Sequence, residues 1–232
     1  MKTLLKCPTN LEGGYVIPNG VTRIGIWAFS SCSNLKSITI PDSVTSIGML
    51  AFSGCSNIIS ITIPNSVTNI GGVAFAGCEN LKSITIPNSV TRIENEAFSY
   101  CENLKSIIVD KGNTIYDSRD NCNAIIETKT NTLIAGCKNT IIPNSVTCIG
   151  IGAFHGCAKL TSITIPNSVT KIGAGAFERC ENLKSITIHD SVTSIGEGAL
   201  YGCPKLKEVI VPPGTTNCIS QFIEYRLFEY RG

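Results

Sequence analysis

Charge is scarce in this chain and histidine nearly absent. Asp, Glu, Lys and Arg together make up 16% of the 232 residues, the formal net charge is +2, and there are two histidines. A balance this weak excludes an electrostatic nucleic-acid binder, which needs a concentrated basic surface. No apolar run approaches the ~18 residues of a transmembrane helix. His155 and His189 stand beside no repeated Ser, Cys or carboxylate. They indicate no triad and read as substitutions at variable surface positions. No two cysteines have the short spacing of a structural zinc site.

What the chain has in plenty is repetition. Phe29, Phe52, Phe75 and Phe98 are spaced by 23 residues, as are Phe154, Phe177 and Leu200; each follows an Ala and precedes a Cys by three. A period of this size marks a solenoid, in which each coil is stable only against its neighbours. The unit reads S-V-T-x-I-G-x-x-A-F-x-x-C-x-x-L-x-S-I-T-I-P-N, with copies beginning at Gly20, Ser43, Ser66, Ser89, Ser145, Ser168 and Ser191. Its apolar positions are fixed and its polar ones drift, as a shared core with a solvated outside requires. Ser83–Ile86 alternates like a strand, and Pro87-Asn88 ends it. Val67–Ile70 is a second short extended piece. Gly-x-x-Ala-Phe is too short for an α-helix and predicts turns or a single 3₁₀ turn.

These residues carry a resemblance. Leu-x-x-Ile-x-Ile-Pro followed by Val-Thr-x-Ile-Gly-x-x-Ala-Phe-x-x-Cys resembles the BspA-type, or Treponema pallidum-type, leucine-rich repeat, over residues 15–213. The resemblance implies a mainly β, right-handed leucine-rich-repeat solenoid of 23-residue coils with a parallel sheet on its concave side. It also implies a bacterial cell-surface or secreted protein, typically of Bacteroidetes, with adhesion as the usual role and no catalytic motif to transfer.

One coil differs. From Phe98 to Phe154 the interval is 56 residues, so about ten are extra. Asn123–Thr128 and Thr132–Ala135 flank Lys129-Thr130-Asn131 and predict a hairpin. The chain start matches the return arm of that hairpin: Lys2–Cys7 aligns with Asn131–Cys137, less one residue, and Tyr15–Asn19 with Thr140–Asn144. The expectation is a piece of a longer protein. Met1–Leu5 opens like a secretion signal, but Lys6 and Pro8 end the apolar run early. Beyond Pro212-Pro213-Gly214, Ile219, Phe222, Ile223, Leu227 and Tyr230 fall at helical spacing and predict a short capping helix, with Thr215 or Thr216 as N-cap. The organisation expected is one solenoid domain over 1–232: repeats 20–111 and 145–213, insert 112–144 and cap 214–232. The outward strand Thr becomes Ile108 and Ile210 just before the insert and the cap, so each irregular segment is expected to fold back near its Ile.

The chain has twelve cysteines, and Cys32, Cys55, Cys78, Cys101, Cys157, Cys180 and Cys203 share one repeat position. They should form an internal column of free thiols, because parallel Cβ vectors disfavour the disulfide dihedral. Cys148 replaces an outward polar residue and reads as an exposed thiol; Cys122 and Cys137 flank the hairpin and could pair. Asp117–Asn121 is rich in oxygen but lacks the spacing of a calcium loop, and reads as a solvated turn. No metal or cofactor is expected.

The binding candidates lie on the strand face. Lys36, Lys82, Lys105 and Lys184 form a column at its edge, continued by Lys207, and Thr39, Thr62, Thr85, Thr164 and Thr187 form the outward row. Glu79, Glu102 and Glu181 precede three of the lysines by three residues, so local neutralisation of the column is the expected state. The Thr row reads as ordinary sheet surface and not as an ice-binding array. The function expected is a non-enzymatic binding module, monomeric, whose partner is a protein or glycan on host or neighbouring cells. The alternative is a spacer that projects other domains.

Overall fold

A computed structural model describes residues 2–210. The coils stack, and equivalent segments of successive coils pair in parallel. Lys2–Leu4, Val21–Ile24, Ser46–Ile47, Asn69–Ile70 and Arg92–Ile93 form one sheet; Thr132–Ala135, Cys148–Ile149, Lys171–Ile172 and Ser194–Ile195 form the parallel part of another. The continuous ladder thus runs along the Thr-x-Ile segment. The Ser-Ile-Thr-Ile segment pairs only in pieces: Gly13–Val16 with Leu35–Thr39, Ser83–Ile86 with Ser106–Val109, and Ser185–Thr187 with Glu208–Ile210. The predicted strand at Val67–Ile70 is confined to Asn69–Ile70. The predicted cap at 214–232 lies outside the described residues.

Side chains reinforce the stacking. Thr45, Thr68 and Thr91 each donate Oγ1–H to the carbonyl of the equivalent Thr one coil earlier, at 3.1–3.2 Å. Ser43, Ser66, Ser89 and Ser168 donate to Val21, Val44, Val67 and Val146 carbonyls at 2.6–2.8 Å. The rings of Phe29, Phe52, Phe75 and Phe98 stack with centroids 5.1–5.4 Å apart. Burial of each such ring contributes roughly 1.5–3 kcal/mol.

The Gly-x-x-Ala-Phe-x-x-Cys stretch forms the predicted turns. Ala28 N–H bonds Gly25 O at 3.3 Å, and Cys32 N–H bonds Phe29 O at 3.1 Å. The third residue of each turn has positive φ, a place that favours glycine. In the first turn it is Trp27, Leu50, Val73, Glu96, Gly152, Gly175 and Gly198 in successive copies; in the second it is Ser31, Gly54, Gly77, Tyr100, Gly156, Arg179 and Gly202. Each non-glycine residue there costs roughly 1–2 kcal/mol of backbone strain.

The column cysteines are buried and free. Each thiol faces the carbonyl of the preceding coil: Cys55 to Phe29 O at 3.1 Å, Cys101 to Phe75 O at 3.2 Å, and Cys203 to Phe177 O at 3.1 Å. Cys122 and Cys137 are both buried and unpaired, and Cys148 is half-buried, not fully exposed as expected. Burial pushes the column thiols up, to about 12 for Cys55 and Cys101.

The insert is the predicted hairpin, with a third strand. Ile125–Glu127 pairs antiparallel with Thr132–Ala135 and with Tyr116–Asp117. The return arm then joins the parallel ladder, as Lys2–Leu4 does at the chain start. Cys7 N–H bonds Ala28 O at 2.7 Å and Gly136 N–H bonds Ala153 O at 2.8 Å, so the two segments are kin, but Cys7 takes the place of Gly136 and not of Cys137 as the sequence alignment had it. The hairpin is a two-sided wedge: Ile125 and Ala135 join the core of the first coils, whereas Ala124, Ile126 and Leu133 join the core of the later ones. Ser118 Oγ accepts from Val109 N–H at 3.0 Å, so the insert does return to the strand that carries Ile108. It leaves the Ile108 side chain itself exposed. The oxygen-rich turn is closed internally, with Arg119 Nε and Nη2 donating to Asp117 at 2.6–3.0 Å.

Two predictions follow from this packing. A Cβ on Gly136 would lie 2.1 Å from Phe154 Cε1; Gly136→Ala should lower stability by about 1–3 kcal/mol in urea unfolding. The thiols set an alkaline limit. Above their ordinary value of 9.0 the unfolded chain releases protons that the folded one retains, so stability is full below pH 9 and declines towards about 12. Cys55→Ala should flatten the fall of melting temperature between pH 9 and 11, and the column thiols should react with a thiol reagent only after denaturation.

Candidate functional site

The predicted residues lie on the Ser-Ile-Thr-Ile segments of their coils and the residues just before them. Lys36, Thr39, Thr62, Lys82, Thr85, Lys105, Thr164, Lys184 and Thr187 are all exposed. Parallel register aligns Val16 with Thr39, Thr85 with Ile108 and Thr187 with Ile210. Lys105 N–H bonds Lys82 O at 3.1 Å, and Lys207 N–H bonds Lys184 O at 3.0 Å, which fixes the lysines one coil apart. Among the described residues, Glu79, Glu102 and Glu181 form no ion pair with Lys82, Lys105 or Lys184. The expected neutralisation is therefore not made by direct pairing, and the ammonium groups remain available. The face also carries apolar side chains in line with the polar ones: Val16, Ile108 and Ile141 in the Thr row and Ile59 in the Lys column, all exposed.

A second cluster was not visible in the sequence. His155 is not a solvated surface substitution. Its Nδ1 lies 2.9 Å from Glu96 Oε2 and its Nε2 2.9 Å from Tyr100 Oη, with Glu178 Oε1 at 3.8 Å. A carboxylate only accepts, so Nδ1–H donates to Glu96, while Nε2 lies within hydrogen-bond distance of the phenol. Burial pushes the Tyr100 phenol up. The insert explains the meeting. Its coil is long on the ladder side but short on the turn side, so Tyr100 N–H reaches His155 O directly at 3.0 Å. Gly152 and Gly156 leave the room: a Cβ on either would overlap the side chains of Glu96 and Tyr100, at 2.4 and 2.5 Å. The cluster has an acid–base pair and a phenol, with no Ser, Cys or Lys nucleophile among its members. It clasps the coils on either side of the insert. Among the described residues no group of three or more His, Cys, Asp or Glu side chains is placed to hold a metal.

A family model for the BspA-type leucine-rich repeat region, in six copies, matches residues 7–125 and again 126–229. The chain belongs to the BspA-type leucine-rich repeat family. Among solved structures, a leucine-rich repeat protein from Eubacterium ventriosum is 28% identical with a TM-score of 0.68, over 86% of this chain and 62% of that one. A leucine-rich cell surface protein from Faecalibacterium prausnitzii is 30% identical with a TM-score of 0.62, over 97% and 74%. The leucine-rich repeat protein of T. pallidum is 27% identical with a TM-score of 0.50, over 94% and 86%. This BspA-type chain thus spans less than two thirds of the E. ventriosum structure. No curated protein shows significant similarity to it. No described helix is long and apolar enough to cross a membrane.

The clasp yields a stability prediction. A double-mutant cycle on Glu96→Gln and His155→Ala should give a coupling of about 1 kcal/mol in denaturant unfolding. Each single change should loosen the junction between the two runs of coils, read as faster amide exchange at Tyr100.

Proposed function

We propose that the protein is a non-enzymatic binding module of a bacterial surface or secreted protein, acting in adhesion or recognition of a protein or glycan. The observation that carries this reading is the strand face. Lys36, Lys82, Lys105 and Lys184 stand exposed at its edge, free of ion pairs among the described residues. Thr39, Thr62, Thr85, Thr164 and Thr187 add hydroxyls beside them, and Val16, Ile59, Ile108 and Ile141 add apolar contact. Affinity on such a face comes from many weak contacts along the solenoid axis, and its unpaired cations select partners with acidic groups. Family membership supports a binding role, and the F. prausnitzii relative supports location at the cell surface.

The test is a binding screen against matrix proteins and acidic glycans, with the hit repeated on variants. Lys82→Glu/Lys105→Glu/Lys184→Glu should weaken binding at least about tenfold, since each lost rim charge costs up to ~1 kcal/mol. The affinity of the unaltered protein should fall with added salt. Binding that ignores both changes places the site on another face.

A further inference from the structure

The first coils carry a file of apolar side chains at one corner, which the fifth copy repeats only as Ile151, 48% exposed. The residue after the Ile-Gly pair, which is Ile93-Glu94 in the fourth copy, is Ile26, Met49, Gly72 and Asn95 in the first four copies, and the next is Trp27, Leu50, Val73 and Glu96. Leu5 continues the first file at the chain start, since a Cβ on Gly25 would lie 3.5 Å from Leu5 Cα. Four of these side chains stand far out in water: Leu5 is 75% exposed, Trp27 56%, Ile26 52% and Met49 41%.

Backbone strain makes this patch informative. Trp27, Leu50 and Val73 occupy the positive-φ place that copies five to seven fill with glycine. A branched or bulky residue there is an outlier, and strain of this kind collects where a side chain serves function. The same places in the fourth copy support that rule, because Glu96 and Tyr100 also have positive φ and both grip His155. Among the described residues the Trp27 side chain makes no hydrogen bond, and it is 56% exposed.

The border of the patch is cationic towards the chain start; at its far end Glu94 accepts from Gly72 N–H at 2.9 Å and pairs with Arg92 at 3.1 Å. Lys2 and Lys6 flank Leu5, and Arg23 lies in the ladder strand that leads to Ile26; all three are exposed. Among residues 1–78 the only acids are Glu12, before the strand Gly13–Val16, and Asp42, after Pro41. A file of Trp, Leu, Ile and Met edged by cations is the composition of an interfacial anchor, with apolar side chains below the headgroups and cations at phosphate level.

We propose that this corner, Leu5, Ile26, Trp27 and Met49 edged by Lys2, Lys6 and Arg23, docks the solenoid onto an anionic phospholipid bilayer. The site is separate from the lysine column, and the two can fail independently. Trp27 is the only tryptophan in the chain and therefore reports on its own site. With phosphatidylcholine vesicles containing phosphatidylglycerol, Trp27 emission should move to shorter wavelength and the protein should sediment with the vesicles; with phosphatidylcholine alone both effects should be much weaker. Leu5→Ser/Ile26→Ser should abolish the shift while the melting temperature holds. Lys2→Gln, Lys6→Gln and Arg23→Gln should each weaken binding roughly fivefold, which corresponds to about 1 kcal/mol per charge near an anionic surface. Trp27→Gly should bind vesicles less well and melt no lower, because it relieves the strain. Unchanged emission on anionic vesicles overturns the proposal, as does full binding by the serine variant. A shift produced by an acidic apolar peptide but not by vesicles overturns it in favour of a protein partner.

Discussion

Everything in this molecule depends on one translation. Each coil must repeat the last about 5 Å further along, a distance set by backbone hydrogen bonds between equivalent strands. A residue type survives at a fixed position only if it tolerates its own copy at that distance. Phenylalanine does so by stacking, with planes 3–10° apart in the first run of coils. Threonine and serine do so by donating to the carbonyl one coil back. Charges cannot be stacked in a core, and the lysines that do repeat lie in water.

The same constraint accounts for cysteine. The position needs a small apolar residue, yet the Phe carbonyl of the preceding coil points at it. Alanine would leave that carbonyl one donor poorer, and serine would bring a stronger polar group into the interior. A thiol packs like a hydrophobe and donates weakly. Because every copy points the same way, neighbouring thiols do not meet in disulfide geometry. The column therefore reflects packing, and cysteine number is here a poor guide to redox chemistry.

The sequence made the column structure legible because the period is visible to the eye: Phe, Cys and Ile positions recur, and the structure buries them. The hairpin at Ile125–Glu127 and Thr132–Ala135 was equally legible from its alternation, and so was the kinship of Lys2–Leu4 with its return arm. Which of the two extended segments would pair in every coil was not legible. Ser-Ile-Thr-Ile looks more strand-like than Thr-x-Ile, but pairing is decided by how closely coils approach, which no single segment encodes. The clasp at His155 was illegible for a related reason. Glu96 and His155 are 59 residues apart, and their meeting depends on the inserted coil being short on one side and long on the other. A count of extra residues gives only the sum. One signal did exist: glycine in three copies where four others carry Trp, Leu, Val and Glu marks a left-handed position.

That signal separates scaffold from specialisation. Positions filled identically in every coil answer to the translation and carry little information about a partner. Positions where a copy departs from its siblings at an energetic cost carry more, because relaxation to the cheaper residue is available by example in the same chain. Glycine at 152, 175 and 198 shows that the turn needs no side chain. Glu96 offsets its strain through His155, a contact inside the molecule. Trp27 is strained and more than half exposed, and among the described residues its side chain makes no hydrogen bond like that of Glu96. A repeat protein read in this way identifies its working surface by comparison with itself.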